Sequence, residues 1–312
     1  MLDHVTLWAL LAAVAVAVGV AERRSRLALM AAGRPWPGTE RYARTALTLS
    51  RVEAARLVRH PLVWLGLAAS AATVASVVPG WARPAIGLLS LDFFPLAIGL
   101  CAAIHLAVSR NRRAGTDELA RTLPTGSRTQ TAGLLLAAAW LAVPLGALAV
   151  AATLAALGAD RSLHGTRILP GTPPGLAMTW TPGVLELVQP ALVVLIAAAV
   201  AVAAGRWWSH AAAAFLVPLL LFSPVGFNAH FVPLHLPAGL RWDPRAGEFL
   251  GHVTTTQLTW HLVFLGGYLT LATAGALAHH DRRPAVLAVC AAGLAGMVVG
   301  FVIKVPSFAW LA

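Results

Sequence analysis

Eight apolar stretches decide what this chain can become: residues 5–21, 62–78, 86–109, 131–157, 184–205, 211–227, 258–277 and 285–303. At about 1.5 Å per helical residue, each reaches most or all of the way across a hydrocarbon core of ~30 Å. Backbone in hydrocarbon has no water to bond to and must satisfy its own N–H and C=O groups, which makes the helix the required form. The expected fold is all-α: a polytopic helical membrane protein with about 8 transmembrane helices. Composition agrees, because 58% hydrophobic and 11% charged residues over 312 positions leave too little polar side chain to coat a soluble domain.

The net charge of +11 invites a nucleic-acid reading, but placement matters more than sign. With the N-terminus outside, seventeen of the 23 Lys and Arg residues fall on cytoplasmic segments and six on external ones. That bias is the one arginines beside membrane spans follow, and the inverted orientation would need its opposite. The chain is therefore expected to be multi-pass in the plasma membrane, with both termini outside, lipids as neighbours and no nucleic acid as partner. Residues 5–21 carry Glu22, Arg23, Arg24 and Arg26 behind them, the reverse of a secretory signal, so they read as an uncleaved span. Residues 27–44 hold Pro35, Pro37 and Gly38 and read as a connector.

Chemical motifs are missing where catalysis would need them. A Walker A motif requires lysine after glycine, and the one lysine, Lys304, follows Ile303. No H-E-x-x-H or G-x-S-x-G occurs, and His230, His235, His252 and His261 have no standard metal spacing. Cys101 and Cys290 each lie in an apolar run and read as packing residues. No enzyme activity, cofactor or metal is expected in this chain. Ionisable residues within or beside spans are Asp92, His105, Glu186 and His210, of which Asp92 and Glu186 are the candidates for a transport path, since a charge in hydrocarbon usually faces a cavity. Loops 158–183 and 228–257 are long enough for some structure, though neither reads as a folded domain; the first, with Pro170, Pro173, Pro174 and Pro182, reads as irregular, and Gly296 with Gly300 forms a small-xxx-small pair suited to close helix contact.

Two polar segments carry more information. Residues 45–59 alternate Leu47, Leu49, Val52, Ala55, Leu57 and Val58 with Arg51, Arg56 and Arg59, the pattern of a basic amphipathic helix in the headgroup layer, and Pro61 turns the chain inward. Residues 110–130, RNRRAGTDELARTLPTGSRTQ, form an arginine-rich island between two apolar runs. Within it Gly115 and Thr116 offer a cap-like start, Asp117 and Glu118 sit where a helix dipole favours anions, and Pro124 closes a short helix. Leu119, Ala120 and Leu123 give that helix a small apolar face outside the bilayer.

These residues resemble the type-2 ATP-binding cassette (ABC) export permeases. Gly115, Thr116, Glu118, Leu119, Pro124, Ser127 and Arg128 follow a G-T-x-E-L-L-x-x-x-P-x-S-R pattern, with Ala120 replacing a leucine and Gly126 shifting the spacing. Arg51, Glu53, Arg56, Arg59 and Pro61 are similar to the family's elbow helix, although about sixty residues precede it here. The resemblance implies a coupling helix built on Gly115, Thr116, Glu118, Leu119, Leu123 and Pro124, and an elbow helix carrying Arg51, Glu53, Arg56 and Arg59. It also implies a division into residues 1–44, an extra transmembrane helix with a connector, and residues 45–312, the permease domain. On that reading the chain is the membrane subunit of an ABC exporter moving a lipid, drug, peptide or glycan. It would form a homodimer or heterodimer with a second permease and be energised by a separate ABC ATPase subunit that holds the ATP and Mg. A non-transporting membrane scaffold or accessory protein is the alternative the residues leave open.

Overall fold

The computed structural model describes residues 39–77, 94–116, 126–164, 184–222, 241–243, 248–250, 255–279 and 282–304. In chain order these form α1 (Thr39–Val58), α2 (Pro61–Val77), α3 (Phe94–Val108), the single turn α4 (Arg110–Arg113), α5 (Ser127–His164), α6 (Val184–Trp207) and α7 (Ala213–Phe222). A short hairpin of β1 (Arg241–Asp243) and β2 (Glu248–Leu250) follows, then α8 (Thr255–Ala278) and α9 (Pro284–Lys304).

Helix α6 is the centre of the bundle, with α3, α5, α7 and α8 packed around it. Its run from Val193 to Val202 is Val, Leu, Ile and Ala, and Val194, Ala197, Ala201 and Val202 are fully enclosed. A helix apolar on every side is stable only when surrounded, and alanine lets the surrounding backbones come close. Gly146 of α5 uses that room, since a Cβ there would lie 3.1 Å from the Cα of Ala191.

Two helix pairs cross on glycine. At the α2–α3 crossing a Cβ on Gly66 would stand 2.8 Å from the Pro95 carbonyl oxygen, and one on Gly99 would run into the Leu62 carbonyl oxygen. In the α8–α9 hairpin a Cβ on Gly300 would stand 2.7 Å from the Phe264 nitrogen, and one on Gly267 would stand 2.6 Å from the Met297 nitrogen. The small-xxx-small pair Gly296 and Gly300 therefore lies in this contact, joined by Gly293 and Gly267, which the spacing argument did not single out.

Three described helices are long and apolar enough to cross a membrane, Ser127–Ala155, Val188–Trp207 and Thr259–Ala278, and a fourth crossing results if the bent pair Tyr42–Val58 and Pro61–Ala75 is counted as one. Phe94–Val108 and Pro284–Gly300 are shorter apolar helices. The span expected at residues 5–21 and the outer part of the one expected at 86–109 lie outside the described residues. Among those described, one loop reading needs correcting. Helix α5 continues through Gly158 to His164, and beyond Pro144 its sequence meets no proline until Pro170. Loop 228–257 contains the antiparallel β1–β2 pair, registered Arg241 to Leu250, Trp242 to Phe249 and Asp243 to Glu248, and gives way to α8 at Thr255. Pro144, Pro190 and Pro218 lie inside α5, α6 and α7, whereas Pro95 occupies the first turn of α3, where no intrahelical N–H bond is lost.

Candidate functional site: the basic end of the bundle

The site begins at the elbow. Helix α1 breaks at His60, and α2 leaves at 57° with Pro61 as its first residue, a position where proline's fixed φ suits the helix and its missing N–H costs nothing. The Trp64 indole N–H donates to the Val58 carbonyl at 2.7 Å, occupying one of the acceptors a helix end leaves over. His60 Nδ1 accepts from the Leu62 N–H at 3.3 Å, a side-chain cap on α2. Partial burial holds the His60 imidazole below its ordinary pKa.

Along α1, Ala46, Ser50 and Leu57 are buried, with Tyr42, Leu49, Glu53 and Ala54 partly so. These positions recur every three to four residues, and this face meets α5, where a Cβ on Gly133 would lie 3.0 Å from Leu49 Cβ. The apolar set expected from the sequence therefore divides. Leu49 and Leu57 pack inward, while Leu47, Val52 and Val58 face out beside Arg44, Arg51 and Arg59. An outward face that mixes aliphatic side chains with arginines suits the boundary between acyl chains and headgroups, where arginine stems lie along hydrocarbon and guanidiniums reach water.

Helix α3 runs almost without interruption into α4, since Ser109 donates to the His105 carbonyl through its backbone N–H at 2.9 Å and its hydroxyl at 2.8 Å. Gly115 then ends the helix with φ +68. The Gly115 N–H reaches the Arg112 carbonyl at 3.2 Å and the Thr116 N–H reaches the Asn111 carbonyl at 3.0 Å, the paired bonds of a left-handed helix terminus. Gly115 thus closes the preceding helix, and the Thr116 hydroxyl points back to the Asn111 carbonyl at 3.3 Å. Of the other coupling-helix candidates, Glu118, Leu119, Leu123 and Pro124 lie outside the described residues, as does Asp92. Glu186 lies in the first turn of α6, and its side chain is outside the described set.

Described residues on either side of segment 117–125 are bonded to α1. On the incoming side, Glu53 Oε1 accepts from Arg110 at 3.3 Å and from Arg56 at 2.9 Å. On the outgoing side, the Tyr42 hydroxyl donates to the Arg128 carbonyl at 3.4 Å, and the Arg128 guanidinium lies 5.6 Å from the centre of the Tyr42 ring. The Arg112 guanidinium meanwhile donates to the carbonyls of Gly205 and Arg206 at the C-terminal end of α6, where carbonyls without helical partners and the helix dipole both favour a cation. Arg113 folds back onto the Leu106 carbonyl at 2.7 Å.

Further contacts join this end to the rest of the bundle. His105, fully buried, places Nε2 3.2 Å from the His210 carbonyl, and a carbonyl can only accept, so Nε2 carries the proton. The Trp207 indole donates to the Gly275 carbonyl at 3.1 Å and stands edge-on to His279 at 5.1 Å. The result is a ring of basic and aromatic side chains that links α1, α3, α5, α6 and α8 at one end. Sequence reasoning found Glu53, Arg56 and Arg128 and missed Tyr42, Arg110 and Arg112 as anchors. Its only signal for those arginines was the local density of positive charge.

Among the described residues no group of three His, Cys, Asp or Glu could hold a metal ion. The class that fold and site define is a helical bundle with apolar helices compatible with a membrane and a cross-tied basic end. Comparison with protein-family models, with curated proteins and with solved structures finds no match for this chain.

Proposed function

We propose that the chain is the transmembrane subunit of a type-2 ABC exporter, with its basic end in the cytoplasm and segment 115–124 as the coupling helix that docks on a separate ATPase. The observation that carries this reading is the double attachment of that segment. A helix that transmits a push must not slide on its own base, and here one foot is held by Glu53 and Arg110 and the other by Tyr42 and Arg128. Both holds are on α1, the helix that matches the family's elbow and bends by 57° into the first core span. Arg112 extends the connection to the central helix α6, so the incoming flank of the loop is tied to the middle of the bundle as well. Cargo class follows only from the resemblance: a lipid, drug, peptide or glycan moved outward by a dimer of permeases, each paired with an ATPase that supplies ATP and Mg.

The test uses Leu119 and Leu123, the apolar pair one turn apart in the proposed docking helix. Interfaces concentrate their energy in a few buried anchors, so Leu119→Asp with Leu123→Asp puts two charges into a dry contact while leaving the spans untouched. The double variant is expected to insert at normal levels, to lose co-purification with its ATPase and to lose substrate-stimulated ATP hydrolysis. Normal co-purification and export by that variant would refute the assignment.

A further inference from the structure

Helices α8 and α9 part near their connecting turn and leave a groove of about 380 Å³ lined by Leu269, Thr273 and Leu277 on one side and Ala285, Val286 and Val289 on the other. The walls are almost wholly aliphatic. In an aqueous protein such a groove would close or take an apolar ligand, whereas in a membrane it opens to acyl chains. Its upper edge is different in kind. Arg282, exposed, and Arg283 stand three and two residues before Ala285, which lines the groove. Trp207, the last residue of α6, donates to the Gly275 carbonyl of α8 and stands edge-on to His279. An indole that keeps its N–H bonded at a helix end and its ring half exposed is the arrangement found at headgroup depth, so the groove lies just below the phosphate layer and the arginines lie in it.

We infer that this groove is a binding site for an anionic phospholipid, with one acyl chain between α8 and α9 and the phosphate on the Arg282 side of the turn. Two features select this occupant. The combination of aliphatic walls and a cationic rim matches a molecule apolar at one end and anionic at the other, and a basic pocket between membrane helices is a recognised way to hold such a headgroup. A second copy of the chain fits poorly. Two copies in one membrane related by an axis along its normal keep each residue at one depth, so pairing through this face would set Arg282 and Arg283 opposite their own counterparts at the depth where like charges repel. The inference rests on the membrane reading of the chain and not on the identity of the transported cargo.

The experiment reconstitutes the full chain in phosphatidylcholine vesicles doped with a trace of phosphatidylglycerol or of phosphatidylcholine, each carrying a diazirine on an acyl chain, and maps crosslinks by peptide mass spectrometry. Residues 269–289 are expected to take roughly five-fold more of the phosphatidylglycerol probe, the factor that about 1 kcal/mol from the single exposed arginine Arg282 supplies. Labelling elsewhere on the spans should not discriminate between the two. Arg282→Gln should bring the two probes level. Val286→Trp or, from the opposite wall, Thr273→Trp should fill the groove and lower both. Equal labelling by the two probes in the unaltered protein, or labelling that neither tryptophan reduces, overturns the site. Failure of the chain to enter vesicles, with no label on any span, overturns the membrane reading instead.

Discussion

Arg112 offers the sharpest test of how this end of the bundle is held. Its guanidinium gives two hydrogen bonds to the last carbonyls of α6, at Gly205 and Arg206, from a position 93 and 94 residues earlier in the chain. A hydrogen bond with a charged partner contributes ~1.5–3 kcal/mol when part-buried, and a cation at a helix C-terminus adds ~0.3–1 kcal/mol. Both bonds come from one terminal nitrogen and the side chain is half-exposed, so the lower end of these ranges applies and Arg112→Gln should cost about 2 kcal/mol. At ~2–4 °C per kcal/mol for a domain of more than 150 residues, the melting temperature of the detergent-solubilised protein should fall by roughly 4–8 °C. Arg112→Lys keeps the charge but presents a compact ammonium in place of the planar fork, so it should fall between the two. Thermal melts of the three proteins at one salt concentration decide the matter. If glutamine and lysine variants melt together with the parent, Arg112 is a solvated arginine and the α4–α6 clamp is not a source of stability.

Other consequences follow from the same contacts. A double-mutant cycle on Glu53→Gln and Arg110→Gln should return a coupling of ~0.2–1 kcal/mol, the range for pairs with a half-exposed partner, and halve or abolish it at high salt; a coupling of zero at low salt would separate α1 from the loop. Gly99→Ala should cost ~1–3 kcal/mol because the new methyl meets the backbone of Leu62 and Gly66, while Gly266→Ala, with open space around it, should melt like the parent. His60 has its pKa lowered on folding, so the folded state binds fewer protons than the unfolded one. Stability should therefore be complete above about pH 6.5 and decline as pH falls from there toward the depressed folded value. His60→Asn, which can cap α2 without titrating, should show a shallower decline than the parent in a melt series across that window.

Much of this architecture was legible in the sequence because its cause is local. A run such as 191–204 is Val, Ile, Leu and Ala throughout, and its transfer from water to hydrocarbon and its need to bond its own backbone depend on nothing elsewhere in the chain. The break at Pro61, the glycine pair at 296 and 300 and the basic character of 110–130 are local in the same sense. Which face of α1 turns inward was not legible, since Leu47, Leu49, Val52 and Leu57 are equally apolar and only the packing of the bundle, with Gly133 against Leu49, decides that Leu49 and Leu57 turn in. Nor were the destinations of the arginines. Charge density beside a span announces the side of the membrane, but a guanidinium takes whichever carboxylate or helix end the packing brings within about 3 Å. Sequence alone therefore determined that these segments are apolar helices, through solvation of each segment by itself. The tertiary structure alone decided that Glu53 meets Arg110, that Arg112 caps α6 and that Tyr42 holds Arg128, because each of those contacts exists only after distant segments have packed.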